Sequence, residues 1–132
     1  MGSLLHLTKA FYYGAGNYFF RGLASKEDST LTRFFSLAEK HASEQRETRF
    51  YADRLCLTPK YLSRLVKEKT GRTAKEIILN YVALQARTML LGTDLNIQQI
   101  SDELHFPSQS VFGKFFKKAT GLSPRHYRKQ VR

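Results

Sequence analysis

Residues 97–127 read IQQISDELHFPSQSVFGKFFKKATGLSPRHY, and part of this stretch has a second copy 49 to 50 positions earlier in the chain. YADRL at 51–55 aligns with ISDEL at 100–104. Beyond Pro107, which the first copy lacks, the match continues to the Thr-Gly pair that ends each copy. A repeat of this length indicates two copies of one supersecondary unit.

Capping signals predict where the helices of each copy begin and end. A hydroxyl or amide side chain marks a helix start, and Glu or Gln three positions later forms a capping box. The predicted starts are Thr58, Thr73 with Glu76, Asn96 with Gln99, and Ser123, and the predicted terminal glycines are Gly71, Gly92 and Gly121. These signals predict seven helices, near residues 30–43, 48–55, 58–70, 73–91, 97–104, 108–120 and 123–130. No segment alternates like a strand, so we predict an all-α fold.

In each copy, a short helix, a tight turn and a second helix form a helix-turn-helix unit of the homeodomain-like kind. Ala52 and Ser101 are small enough to let the two helices of each unit cross closely. Cys56 and His105 occupy the turn position that commonly requires a positive φ. The predicted boundaries are about 48–71 for the first unit, 73–91 for a long linker helix and 97–121 for the second unit.

The second helix of each unit has an apolar face and a polar, basic face. Leu62, Leu65 and Val66 are predicted to face the core, as are Phe112, Phe115 and Phe116. The opposite face carries Lys60, Ser63, Arg64 and Lys67 in the first unit, and Gln109, Ser110, Gly113, Lys114 and Lys117 in the second. Lys and Arg can donate to guanine, and Gln can pair with adenine. One such face alone is an ordinary solvated surface, but two matched faces on a chain of net charge +11 predict DNA binding.

The linker helix sets the distance between the two units. Its 19 residues span about 28 Å, and successive major grooves lie ~34 Å apart on one side of the duplex. We therefore expect one chain to cover two adjacent half-sites of double-stranded DNA. Because the two polar faces differ, the preferred site should be asymmetric rather than palindromic.

Contacts with phosphates would supply affinity that does not depend on base sequence. Residues 114–132 contain seven Lys or Arg and no acid, and helix starts offer free N–H groups. The alternative is a basic tail that is merely solvated. The predicted phosphate-contacting residues are Thr58, Lys67, Thr73, Ser108, Lys117, Ser123, Arg125 and Arg128.

Residues 29–132 resemble the DNA-binding domain of the AraC/XylS family of bacterial transcription regulators. The resemblance rests on residues 97–127, with Phe106 after the turn, the run FGKFFKK and the ending GLSPRHYR. It implies seven helices and a cytoplasmic regulator of promoter DNA, more often an activator, that contacts RNA polymerase. It assigns base reading to Lys60, Ser63 and Arg64, and to Gln109, Ser110, Gly113 and Lys114.

Two positions depart from the family pattern. His105 stands where glycine is usual, and Gly113 stands where a side chain often points into the groove. Glycine also has a low helix propensity. We therefore expect the second unit to discriminate bases less well than the first.

Residues 1–28 form an N-terminal tail whose first part is rich in apolar and aromatic residues. Many family members carry an effector-sensing, dimerising domain before the DNA-binding domain. Segment 4–22 is interpreted as the last helix of such a domain, followed by a linker over 24–30. The alternative is a private helix that packs on the DNA-binding domain. An unpaired apolar segment would also favour a homodimer.

Other classes of protein have less support. A single cysteine and the absence of a Cys/His cluster predict neither a disulfide nor a metal site. No apolar run is long enough to span a bilayer. The four histidines are scattered, and no nucleophile–base pair or phosphate loop is evident, so we predict neither catalysis nor a cofactor. The remaining alternative, a general RNA-binding protein, needs exposed rings for stacking, whereas the repeat places most rings in the core.

Overall fold

The computed structural model describes residues 26–131, and within that range the chain forms seven α-helices and no strand. The all-α prediction is therefore confirmed. The helices are α1 (Lys26–His41), α2 (Thr48–Arg54), α3 (Pro59–Thr70), α4 (Ala74–Gly92), α5 (Ile97–Glu103), α6 (Gln109–Thr120) and α7 (Pro124–Val131).

Four helices, α3, α4, α5 and α7, start where the capping signals predict. In α4, Thr73 Oγ1 accepts the Glu76 N–H at 3.0 Å, and the Glu76 carboxylate accepts the Thr73 N–H at 3.2 Å. Asn96 and Gln99 form the same reciprocal pair at the start of α5. The hydroxyls of Thr58 and Ser123 each accept a backbone N–H three residues later. Both predicted capping boxes are confirmed.

Two of the three predicted terminal glycines have left-handed backbone geometry. Gly71 ends α3 at φ 77° and Gly121 ends α6 at φ 87°. The prediction for Gly92 is wrong, because Gly92 is still helical and the C-cap of α4 is Thr93 at φ −132°. Thr93 terminates the helix with its own side chain, whose Oγ1 donates to the Met89 carbonyl at 2.6 Å.

Helix α1 begins at Lys26, four residues before the predicted start, so residues 26–30 are helix and not linker. Glu27 and Asp28 lie in the first turn, where acidic side chains interact favourably with the helix dipole. Glu27 also lies 3.4 Å from the ammonium of Lys69 at the end of α3. The predicted helix over 4–22 and the tail before Lys26 lie outside the described residues.

Two hydrophobic cores share the linker helix α4. Its N-terminal half, with Ile78 and Val82, packs with α1, α2 and α3, and its C-terminal half, with Ala86 and Leu90, packs with α5, α6 and α7. Phe106 and Phe115 pack against both cores. The predicted architecture of two helix-turn-helix units on one long helix is confirmed.

The two turns have the same backbone geometry. Ala52 and Ser101 are fully buried where the helices of each unit cross. Cys56 and His105 have φ values of 59° and 62°, the only positive values among non-glycine residues in the described range. The positive φ predicted at these two positions is confirmed, and each turn presents its following helix, α3 or α6, in the same way.

Candidate nucleic-acid interface

Helix α3 buries one side and exposes the other. Leu62, Leu65 and Val66 are buried in the first core. The four predicted contact residues of this helix are all exposed: Lys60, Ser63, Arg64 and Lys67. The polar face predicted from the repeat is therefore free of other parts of the described fold.

Arg64 lies near two residues of its own helix. Its Nε lies 4.0 Å from a carboxylate oxygen of Glu68, one turn later, and its guanidinium carbon lies 5.4 Å from the centre of the Tyr61 ring. Its side chain is nonetheless 65% exposed. An exposed pair at this distance adds little to stability, and the guanidinium stays accessible on the face of α3.

Helix α6 repeats the arrangement with a different surface. Phe112 and Phe116 are fully buried, as the first copy predicts. Gln109, Ser110, Lys114 and Lys117 are exposed. Gly113 lies among them, and a Cβ atom built there would meet nothing within 4 Å. The position is open, so the lack of a side chain there is not required by packing.

Val111 is an apolar residue on α6 that the sequence analysis did not single out. Its side chain is 45% exposed, and among the described residues it is the one large hydrophobic side chain that counts as exposed. The repeat contains a signal for it, because its counterpart in the first copy is Tyr61, which is only partly buried at the edge of the core. An exposed valine in the first turn of α6 adds an apolar group to an otherwise polar face.

The predicted phosphate-contacting residues fall into three structural groups. Four are helix N-caps whose hydroxyl oxygen accepts a backbone N–H: Thr58, Thr73, Ser108 and Ser123. Lys67, Lys117 and Arg125 are exposed cations, and the Lys67 ammonium donates to the Gly71 carbonyl at 3.2 Å. Arg125 lines a cleft beside α6 together with Gln98 and Gln109. The structure thus places free N–H groups and positive charge beside both recognition helices.

Arg128, the eighth predicted phosphate contact, also makes hydrogen bonds inside the fold. Its Nε donates to the Leu90 carbonyl at 2.9 Å, and one Nη donates to the Thr93 carbonyl at 3.2 Å. These carbonyls lie at the end of α4, where helical partners run out. Arg128 therefore caps the linker helix, and its predicted contact with phosphate stays a prediction.

The capping box at the start of α4 has an electrostatic consequence. Hydrogen bonds from the Thr73 backbone and side chain hold the pKa of Glu76 below its usual value, and the charges of Lys67 and Arg72 act in the same direction. Gln99 occupies the same position in the second box and carries no charge. The two caps therefore have the same geometry but respond differently to acid.

Other kinds of site find no geometric support in residues 26–131. No three His, Cys, Asp or Glu side chains are grouped closely enough there to hold a metal ion. None of the helices in this range is long and apolar enough to cross a bilayer. The predicted interface on α3 and α6 is the arrangement that the described surface supports.

Known proteins of similar sequence share this domain. Residues 51–130 match the model of a helix-turn-helix domain family. The chain is 33% identical over 81 residues to the uncharacterized HTH-type transcriptional regulator YtdP of Bacillus subtilis, which covers 61% of this chain and 10% of YtdP. It is 30% identical over 105 residues to the HTH-type transcriptional activator RhaS of Yersinia pestis, which covers 80% of this chain and 38% of RhaS.

A solved structure has the same arrangement of helices. The C-terminal domain of AraT, a response regulator from Geobacillus stearothermophilus, superposes with a TM-score of 0.74 at 30% identity, over 82% of this chain and 89% of that one. The chain thus spans a tenth of YtdP and 38% of RhaS but most of an isolated DNA-binding domain. The chain belongs to the AraC/XylS family of transcription regulators, a family of DNA-binding proteins rather than enzymes, and corresponds to its C-terminal DNA-binding domain.

Proposed function

We propose that residues 29–132 regulate transcription by binding an asymmetric promoter site, with α3 in one major groove and α6 in the next. The observation that carries this proposal is the pair of half-buried recognition helices mounted on one helix, α4, of 19 residues. At 1.5 Å per residue α4 is about 28 Å long, a spacer suited to two grooves on one side of a duplex.

The first unit is proposed as the main reader of base sequence. Arg64 presents an exposed, planar guanidinium beside Glu68 and Tyr61, and this group suits bidentate donation to guanine O6 and N7. Lys60 and Ser63 flank it on the same exposed face and complete the proposed base contacts of α3.

The second unit is proposed to make fewer base contacts. Gln109, Ser110 and Lys114 are the polar groups available, and Gly113 contributes only its backbone. We add Val111 to this set, because an exposed valine on a recognition helix matches the 5-methyl group of thymine. The N-capped helix starts, with Lys67, Lys117 and Arg125, would bind phosphates on either side of the bases.

The regulatory outcome is inferred from relatives and from the family. RhaS is named as an activator, and we propose the same for this protein, through contact with RNA polymerase. Homodimerisation through segment 4–22 is a further part of this proposal.

Selection from a random duplex pool, followed by sequencing of the bound fraction, tests the proposal. The expected product is one asymmetric pair of half-sites about one helical turn apart. A palindrome would contradict the assignment of one recognition helix to each half-site. Equal affinity for selected and random duplexes in gel shifts at raised salt would remove sequence-specific binding altogether, because raised salt suppresses the phosphate contribution.

A further inference from the structure

The two units are joined a second time, away from the linker helix. Arg46 lies in the segment between α1 and α2, within the first unit. One of its Nη atoms donates to the Leu104 carbonyl and the other donates to the His105 carbonyl at 3.5 Å. Its guanidinium carbon lies 4.4 Å from the centre of the Phe106 ring. All three partners belong to the turn of the second unit, 58 and more positions along the chain.

The contact uses groups that the second unit leaves open. Leu104 is the C-cap of α5, so its carbonyl has no helical partner, and a cation is favoured at that end of the helix dipole. The positive φ of His105 turns the chain sharply at the same point. A guanidinium can donate to both carbonyls and stack on a ring at once, which an ammonium cannot do.

The backbone next to Arg46 is anchored to the first core. The Tyr51 hydroxyl donates at 2.7 Å to the carbonyl of Gln45, the residue before Arg46. Tyr51 is fully buried and packs edge-on against Phe34 and Phe50. Burial raises the pKa of Tyr51 to about 12, so its phenol stays a neutral donor, and burial lowers the pKa of Arg46 from its ordinary value.

We propose that Arg46 is a positioning residue that fixes α6 relative to α3, and thereby sets the half-site spacing that the protein accepts. This rests on the proposed function. Helix α4 and the rings of Phe106 and Phe115, which pack against both cores, join the units through apolar contacts, to which Arg46 adds directional hydrogen bonds. The turn that Arg46 grips leads into α6, which begins at Gln109, four residues after His105. A change at Arg46 should therefore move α6 as a body.

The test measures affinity as a function of half-site spacing. The selected site is made at its preferred spacing and with one or two base pairs added or removed, and each duplex is titrated with wild type, Arg46→Ala and Arg46→Lys. We expect Arg46→Ala to lose about tenfold in affinity at the preferred spacing and less at the others, so that its spacing profile is flatter. The affinity of Arg46→Lys at the preferred spacing should lie between those of wild type and Arg46→Ala. Binding to the first half-site alone should stay within about twofold of wild type.

Arg54→Ala is the matched control. Arg54 also stacks on a phenylalanine, with its guanidinium carbon 4.6 Å from the centre of the Phe50 ring, but both residues belong to the first unit. The affinity of Arg54→Ala as a function of half-site spacing should coincide with that of wild type. A folded Arg46→Ala protein with the wild-type profile would overturn the proposal, as would equal flattening in Arg54→Ala.

A measurement without DNA separates this proposal from the proposed function. Spin labels on Cys56, which is exposed in the first turn, and on a cysteine introduced by Lys118→Cys on α6 report the distance between the units. Pulsed electron paramagnetic resonance should give a broader distance distribution in the full chain with Arg46→Ala than with Arg54→Ala. An unchanged distribution would overturn the positioning role even if wild type bound DNA as proposed. If wild type failed to bind DNA specifically but the distance distribution broadened in Arg46→Ala, the proposed function would be refuted and the positioning role of Arg46 would be retained.

Discussion

The two helix-turn-helix units have the same turn but fill their cores differently. The first unit includes α1 and packs aliphatic residues of α3 against Phe34 and Tyr51. In the second unit the C-terminal half of α4 lies before α5, as α1 lies before α2 in the first, and α6 contributes the rings of Phe112 and Phe116 to the core. Phenylalanines of α6 thus fill the volume that Leu62, Leu65 and Val66 of α3 fill in the first unit. A common backbone unit can therefore be completed by aliphatic or by aromatic side chains.

The exposed faces differ as well, and they suggest a division of labour. Each helix carries three lysines, but α3 adds an arginine, Arg64, and one acid, Glu68, whereas α6 adds a glycine and no acid. A planar guanidinium suits base recognition, and ammonium groups suit phosphate contact. The first unit is proposed to discriminate and the second to anchor.

The largest expected effect is the loss of base recognition in the first unit. Arg64→Ala should weaken binding to the selected site by about 1–3 kcal/mol, or roughly 5- to 150-fold, and relax the preference at one base pair. Lys117→Ala, which removes a proposed phosphate contact of α6, should weaken binding to all duplexes alike and reduce the slope of log affinity against log salt by about 1. Gel shifts over a salt series with single-base variants of the site measure both.

Lys40→Ala is the control for this pair, because it removes a charge from an exposed position at the end of α1. The affinity of Lys40→Ala for the selected site should change little. If Arg64→Ala lost affinity uniformly and Lys117→Ala relaxed specificity, the assignment of reader and anchor would be reversed.

The next effect concerns Gly113, the weak point of α6. Gly113→Ala should raise the free energy of unfolding by about 1 kcal/mol, because alanine favours helix and the new Cβ meets open space. This corresponds to a rise of about 4 °C in Tm. Gly121→Ala also meets open space, but at φ 87° it should be destabilising by a similar amount. Thermal unfolding of the two variants checks the prediction, and a fall in Tm for Gly113→Ala would contradict it.

A smaller effect should come from the methyl group of a single thymine. Replacing thymine by uracil at successive positions of the second half-site removes only the 5-methyl group. At one position wild type should lose about 0.8 kcal/mol, close to fourfold in affinity, whereas Val111→Ala should lose much less. The same replacements in the first half-site serve as the control. Equal losses for wild type and Val111→Ala at every position would exclude this contact.

The smallest effect distinguishes the two capping boxes by pH. The pKa of Glu76 is lowered on folding, so its contribution to stability is present above its unfolded pKa and is lost as pH falls through the folded value. Between about pH 5 and pH 3, wild type should therefore lose more stability than Glu76→Gln. Urea unfolding at the two pH values measures this difference. Gln99→Glu should introduce a similar dependence in the second unit, and identical pH dependence in all three proteins would refute the prediction.

Local sequence signals predict most of the fold because they describe contacts between near neighbours. The capping boxes at Thr73 and Asn96, the positive φ of Cys56 and His105, and the buried face of each recognition helix all follow from spacing within one repeat. The same reasoning predicts which side chains of α3 and α6 are exposed. Their contacts with DNA remain predictions.

The features that sequence reasoning misses depend on long side chains that reach distant parts of the chain. Arg128 caps α4 across more than thirty residues, and Arg46 reaches the turn of the other unit. The Thr93 carbonyl, which accepts from Arg128, and Glu27, which lies 3.4 Å from Lys69, likewise have partners that no local pattern identifies. Basic residues in a DNA-binding chain look alike in sequence, and only the fold separates those that serve the structure from those left for phosphate.

The sharing of α4 by both cores also limits how this domain can diversify. One residue inserted between Val82 and Ala86 would rotate the second unit by about 100° and advance it by about 1.5 Å. Such an insertion would carry α6 away from the groove and pull the Leu104 carbonyl from Arg46. Changes in the length of α4 therefore cannot adjust the half-site spacing in small steps. New target sites are reached most easily by substitution on the exposed faces of α3 and α6, with the frame between them left unchanged.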